Sequence, residues 1–239
     1  MTWDWRWDWI TSHYDLLGEL LGQHLYLSVV PVVLGLLIAL PLGILCVRVP
    51  RLYAPVLALT SFFYALPSLA LFVVLIDYTG FTGWTVIIPL TIYTLSVLVR
   101  NVVDGLRSVP DHVSQAATAM GFGGLRRLLQ VDLPIAIPVV IAGLRVATVS
   151  NISLVSVGSL IGISGLGQLF VDGIQRSFIT PIIVGIVLTV VLAVLADAVL
   201  VALQWLLTPW TRTGRSAAPL PEETTLAGPA AAATTGVAS

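Results

Sequence analysis

Few residues in this 239-residue chain could do covalent chemistry. His13, His24 and His112 are scattered, without the spacing that lets imidazoles share a metal ion. The H-E-x-x-H pattern of a helix-borne zinc site is absent. Gly162-Ile163-Ser164-Gly165 has the form of a turn presenting a serine nucleophile within a membrane, but that chemistry needs a histidine from a later helix, and none follows His112. Lysine is absent and all 11 basic residues are arginines, so the chain lacks the phosphate-gripping lysine of a P-loop. Cys46 stands alone in an apolar run, where it reads as a small buried hydrophobe with no disulfide partner. The chain is therefore expected to be no enzyme, with no metal site and no cofactor of its own.

What remains is polar chemistry in apolar surroundings. Ser150, Asn151, Ser153, Ser156 and Ser159 crowd one hydrophobic segment. Hydroxyls and amides inside a lipid span face protein or water, so Ser150, Asn151, Ser153 and Ser156 are candidates to line a solute path. The alternative is close helix packing through small residues, which Gly158-x-x-x-Gly162 would also support. Asp197 lies in another apolar run, where an unpaired carboxylate is costly. It is expected to pair with Arg145 or Arg100, as a structural link rather than a solute contact.

The elements that must position these groups follow from composition. Hydrophobic residues make up 57% of the chain and charged residues only 10%, with a mean hydropathy of +1.00. A soluble domain carries roughly a quarter charged residues, so an all-α integral membrane protein is expected. Crossing the hydrocarbon takes about 20 apolar residues per helix. Segments 25–47, 57–76, 84–103 and 181–206 meet that length, and 144–163 supplies a fifth crossing. Pro134 and Pro138 should disturb helix, so 135–143 reads as an interfacial or re-entrant piece; splitting this region differently would give six crossings. With the amino terminus outside, Arg48, Arg51, Arg100, Arg107, Arg126, Arg127, Arg145, Arg212 and Arg215 fall inside and only Arg6 and Arg176 outside. That bias fixes the expected orientation, with the carboxyl terminus inside. Segment 1–23, with its Trp3-Asp4-Trp5-Arg6-Trp7-Asp8-Trp9 run, should lie at the outer interface as an anchor. It lacks the basic start of a signal peptide. Segment 208–239 is expected to be a disordered inner tail, because from Gly214 on it is rich in Ala, Thr, Pro and Gly without aromatics.

The longest polar connection within 24–207 is 104–133. Pro110 and Asp111 suit a helix start, Gln115-Ala116-Ala117 favours helix, and Met120-Gly121-Phe122-Gly123-Gly124 breaks it. A second short helix is expected from Leu125 to Val131, with Arg126 and Arg127 beside leucines. Small alanines would let another protein approach closely, although a helix lying on lipid headgroups fits the same pattern.

Gln115-Ala116-Ala117, three residues, Gly121, then Leu133-Pro134 closely resembles the "EAA–x3–G–x9–I–x–LP" loop of binding-protein-dependent ABC importer permeases. Tyr64-Ala65-Leu66-Pro67-Ser68-Leu69-Ala70, Val99-Arg100-Asn101, Ala142-Gly143-Leu144-Arg145 and the run from Leu160 to Gly167 resemble segments of the glycine betaine/carnitine/choline permeases in that family. The resemblance spans about His24 to Leu207. It implies a type I importer permease in a bacterial inner membrane, taking up an osmoprotectant by alternating access; another small solute such as an amino acid is the alternative, and a non-transport scaffold or intramembrane enzyme a distant one. It also implies three partners: a cytoplasmic ATPase that binds ATP and Mg, an external solute-binding protein, and a second permease copy or paralogue. Asp111, Gln115, Ala116, Ala117, Gly121, Arg126, Arg127, Leu133 and Pro134 would form the ATPase-coupling loop, and Gly162, Gly165 and Gly167 an outer gate. Gln115 replaces the family glutamate, turning a charge-assisted contact into a neutral one of about half the strength. Tyr64, Tyr93 and Trp84 look too dispersed in sequence to form an aromatic box for a quaternary ammonium group.

Overall fold

Apolar runs, prolines and glycines set the ends of ten α-helices among the described residues, 6–210, of this computed structural model. The features expected at Trp3, Asp4 and Trp5, at Arg212 and Arg215, and throughout 211–239 lie outside the described residues. In chain order the helices are α1 (Trp7–Ser12), α2 (Tyr14–Arg48), α3 (Tyr53–Ala65), α4 (Ser68–Thr79), α5 (Trp84–Arg107), α6 (Asp111–Ala119), α7 (Gly124–Arg127), α8 (Leu133–Gly158), α9 (Gln168–Gln175) and α10 (Ile179–Leu207). The unit they form ends at Thr208. At 1.5 Å per residue, the 35 residues of α2 run about 52 Å. This helix begins eleven residues before the crossing expected from hydropathy.

Helix α5 is the centre of the bundle. Val86, Ile87, Leu90, Leu98, Val99, Val102 and Val103 are all fully buried along its length. Toward its start it packs with Leu27 of α2, Phe72 of α4 and Val155 of α8; near its middle with Val32, Ala39, Leu144 and Ala147; at its end with Leu128 and Ala136. In lipid the helices gain little from leaving water, so close backbone approach matters more. Gly43 lies against Val102, where a Cβ would sit 2.5 Å from Cγ1, and Gly143 lies against Asn101. Helix α10 packs on α8 and α9 but lies at the edge of the bundle, burying only Thr180, Pro181, Val184 and Gly185 at its start.

Among the described residues, four helical segments are long and apolar enough to span, and the bent pair α3–α4 brings the count to five if it is one broken span. Two expectations about their shape are corrected. Residues 57–76 do not form a straight crossing, because the chain turns by 91° between α3 and α4. Pro67 has no N–H and its ring crowds the preceding turn, pushing Leu66 to the extended geometry of φ −72°, ψ 139°. The Tyr93 hydroxyl donates to the freed Leu66 carbonyl at 2.6 Å.

Residues 135–143 are not re-entrant either. They belong to α8, which continues without a break from the polar loop. Pro134 falls in its first turn, where a missing donor matters least. It cannot bond Gln130, and the turn before it widens: Leu133 N–H reaches back five residues to the Leu128 carbonyl, giving one π-helical turn over Leu128–Asp132. The expected second loop helix is thus fused to the crossing. Arg145 consequently lies mid-helix in α8, not near an inner end.

Three turns share one device. Gly121 (φ 85°), Gly162 (φ 82°) and Ser177 (φ 52°) each take the left-handed conformation after a helix. In each, the next N–H bonds five residues back and their own N–H three back: Phe122 to Ala117 and Gly121 to Thr118; Ile163 to Gly158 and Gly162 to Ser159; Phe178 to Gly173 and Ser177 to Ile174. These are Schellman closures, in which glycine avoids a Cβ clash. Ser177 bears that clash, worth about 1–2 kcal/mol. Ser177→Gly should therefore stabilise the chain by about 1 kcal/mol, read as a higher melting temperature in detergent; an unchanged or lower one would contradict the assignment.

Candidate functional site

The polar loop forms a built structure at one end of the bundle. Asp111 opens α6 after Pro110, whose extended geometry (φ −64°, ψ 138°) is that of a helix N-cap, and the carboxylate in the first turn suits the helix dipole. Gly121 closes α6 and returns the chain at Phe122, whose ring lies 4.6 Å below the Arg126 guanidinium. Arg127 then braces the two arms. Its Nε reaches Asp132 Oδ2 at 3.3 Å and its NH1 reaches Thr118 Oγ1 at 3.3 Å, while the Ser114 hydroxyl donates to Asp132 at 3.4 Å. Between α6 and the ends of α2 and α5 lies an open cavity of about 640 Å³, lined among others by Arg107, Asp111, Gln115 and Arg127.

The adjacent alanines Ala116 and Ala117 differ in burial. Ala116 is exposed with Gln115, Ala119 and Met120, whereas Ala117 is only 2% exposed and packs inward. The expectation that both present a small surface to a partner is therefore corrected for Ala117. Met120, Leu125 and Leu129 are large apolar side chains left exposed on the same loop. Leu133 and Pro134 are half-buried and set the π turn rather than a surface.

The serine-rich segment of α8 is split by burial. Asn151 is 2% exposed and donates to Thr94 Oγ1 of α5 at 2.9 Å. It is a helix–helix link in this chain, which corrects its placement on an open path. Ser153 is exposed on the same strip as Val146, Val149 and Leu160, and Ser150 is half-buried. The hydroxyls of Ser156 and Ser159 are buried without a partner.

Asp197 of α10 pairs with Arg145 of α8 through two parallel hydrogen bonds, Nε to Oδ1 at 2.6 Å and NH2 to Oδ2 at 2.8 Å. This planar fork is the strong arrangement for arginine and a carboxylate. Arg100 takes no part; its side chain is exposed on α5.

At the other end of α8, Gly162 makes its left-handed turn and the chain passes Ser164 before α9. Gly165 and Gly167 are buried there. A Cβ on Gly167 would collide with the Ser156 carbonyl and come within 2.6 Å of Ser159 Oγ. His24, which sequence reasoning set aside, is fully buried against this loop. Only its position beside polar Ser28 in an apolar run could have marked it. A crevice of about 370 Å³, with Gln23, Tyr26, Phe81 and Ser164 in its walls, adjoins the same loop.

Tyr64 and Tyr93, far apart in sequence, meet at the α3–α4 bend with ring centroids 5.4 Å apart, edge to face. That corrects the view that they are dispersed, although Trp84 is not in the pair and Tyr93 is almost wholly buried. Outside the helical spans, hydrogen bonding from the Arg6 guanidinium (2.8 Å) holds the exposed Asp8 carboxyl below the usual carboxylate range.

Comparison with known proteins places this architecture. Residues 32–208 match the family model described as "Binding-protein-dependent transport system inner membrane component". The chain is 36% identical over 209 residues to the osmoprotectant import permease protein OsmW of Salmonella typhimurium, covering 83% of this chain and 97% of that protein. It is also 36% identical over 188 residues to OpuCD of Bacillus subtilis, a glycine betaine/carnitine/choline transport system permease protein, covering 78% and 82% of the two chains. The fold matches a chain of the inward-facing MetNI methionine ABC transporter with a TM-score of 0.71 and 25% identity, covering 82% of this chain and 98% of that one. Spanning helices, a bent pair, a braced polar loop and these matches together show that the chain belongs to the binding-protein-dependent transport system inner membrane components, the permease subunits of ABC importers.

Proposed function

We propose that this permease carries osmoprotectants of the glycine betaine, carnitine, choline or proline type. The observation that carries the reading is 36% identity across nearly the whole length of an osmoprotectant import permease. In this reading the chain binds no cofactor. A separate ATPase holds ATP and Mg and docks on α6, around exposed Gln115, Ala116 and Met120. A solute-binding protein delivers solute at the opposite end, beside the loop of Gly162, Gly165 and Gly167.

The orientation has the amino terminus outside, which puts α6 in the cytoplasm. Arg48, Arg107 and Arg127 line cavities at the end of the bundle that carries α6 and α7, as the positive-inside rule favours for that end. A second copy or paralogue completes the path, with Ser150 and Ser153 toward it and the Ser156 hydroxyl turned inward. Transport follows from ATP binding one arrangement of the paired bundles better than the other, since equal affinity shifts nothing.

The test is uptake of labelled betaine, carnitine, choline and an amino acid such as methionine by the complex reconstituted with its ATPase and binding protein. Saturable, ATP-dependent uptake of a quaternary ammonium solute is expected. Uptake of the amino acid alone would favour the second reading, which the structural likeness to the methionine transporter supports.

A further inference from the structure

We infer that His24 is a positioning residue for transport: a pin that holds the loop after α8 against α2, through a bond that must break for that end of the bundle to open. Both ring nitrogens are engaged. The Leu166 N–H donates to Nδ1 at 3.2 Å, so Nδ1 carries a lone pair and the proton sits on Nε2, which donates to the Ile152 carbonyl at 2.8 Å. One imidazole thus joins three elements separated by 128 and 142 residues: α2, the body of α8, and the loop. His24 is itself fixed by the turn below, where the Ser28 hydroxyl donates to its carbonyl at 2.7 Å.

Two apolar anchors flank the pin. Ile163 inserts beside Leu27 and Val155, and Leu166 beside Leu20, Leu169 and Val184. Ser164 between them stays exposed and forms a wall of the crevice with Gln23 and Tyr26. The loop cannot leave α2 without losing the Leu166 bond, and a buried amide that loses its partner is costly. Because Ile152 belongs to the same helix that continues through the π turn into the braced loop, His24 ties the position of one end of the bundle to the helix driven from the other. This inference rests on the transport role of the family and on the proposed coupling at α6, not on the identity of the solute.

The two bonds can be separated by chemistry. In His24→Asn the amide oxygen stands near the Nδ1 position and keeps an acceptor for Leu166. In His24→Gln the amide reaches the Nε2 position and keeps the Ile152 bond only. Hydrogen exchange of the full chain in nanodiscs should show the Leu166 amide exchanging at least about ten-fold faster in His24→Gln, with His24→Asn close to wild type. In the reconstituted transporter, both variants should raise the ATP hydrolysed per solute imported several-fold, because each breaks one of the two bonds that tie the loop to α8. Equal Leu166 exchange in the two variants, or a wild-type ratio of ATP to solute in both, overturns the pin. If His24→Gln does not accumulate, Gly165→Ala takes its place, because its Cβ would lie 3.3 Å from Nδ1 and press the loop off the ring; wild-type exchange there overturns the proposal equally. Failure of wild-type ATP-driven import would count against the coupling reading, while the exchange measurement still judges the pin.

Discussion

Ala116→Arg is expected to cut ATP-driven uptake on the order of a hundred-fold while leaving the chain at its normal level in the membrane, the scale of losing a central interface contact. Ala116 is exposed on α6, next to Gln115 and Met120, so a long cation there meets no residue of its own chain. In the proposed docking it would meet the ATPase, where a methyl group permits close approach and a guanidinium does not. Ala117→Arg is the control with the opposite failure. Ala117 is 2% exposed, so a charge there must be buried or α6 must lift away, and the chain itself should be depleted. Retention of uptake by Ala116→Arg, with the ATPase still co-purifying, would count against docking at this face. Under the headgroup reading of α6 an added arginine near an anionic leaflet would strengthen the contact instead, so the same variant separates the two.

Loss of either partner of the Arg145–Asp197 pair is the second large effect. Arg145→Leu or Asp197→Leu alone leaves an unmatched charge within the spanning helices, and folded protein in the membrane should fall by about an order of magnitude. Their side chains are 38% and 33% exposed in the single chain, so the facing lipid or partner subunit decides how far each can be solvated. The double substitution to leucine should recover much of the loss, since removing both charges of a membrane pair is milder than removing one. Arg145→Lys should rescue poorly, because an ammonium cannot make the two parallel bonds. A double variant present at normal levels but dead in uptake would instead mark the pair as a solute contact. Normal levels of both single variants would remove its structural role.

Several features were legible because one dimension carries them. Hydropathy over about 20 residues located the spanning segments, and lack of charge declared a membrane protein. The spacing from Gln115 through Gly121 to Pro134 announced a helix, a turn and a second short helix, and the structure supplies the reason: Gly121 closes a Schellman turn and Pro134 follows directly on a widened turn. That Asp197 needed a basic partner followed from the price of a lone carboxylate in lipid.

Tertiary structure alone decided the rest, because it depends on which faces meet. Arg145 rather than Arg100 reaches Asp197 only because α8 and α10 are neighbours while Arg100 points outward from α5. Ala116 and Ala117 are adjacent and chemically identical, yet about 100° of helical rotation sends one to solvent and one to the core. Asn151 looked like its serine neighbours until Thr94 was found opposite it. Tyr64 and Tyr93 meet because α3 packs against α5, and His24 gained its partners from residues more than a hundred positions away. Composition and spacing fix the medium a chain lives in and where its helices stop. Side-chain partnership between distant helices is set by rotation and packing, which no local pattern encodes.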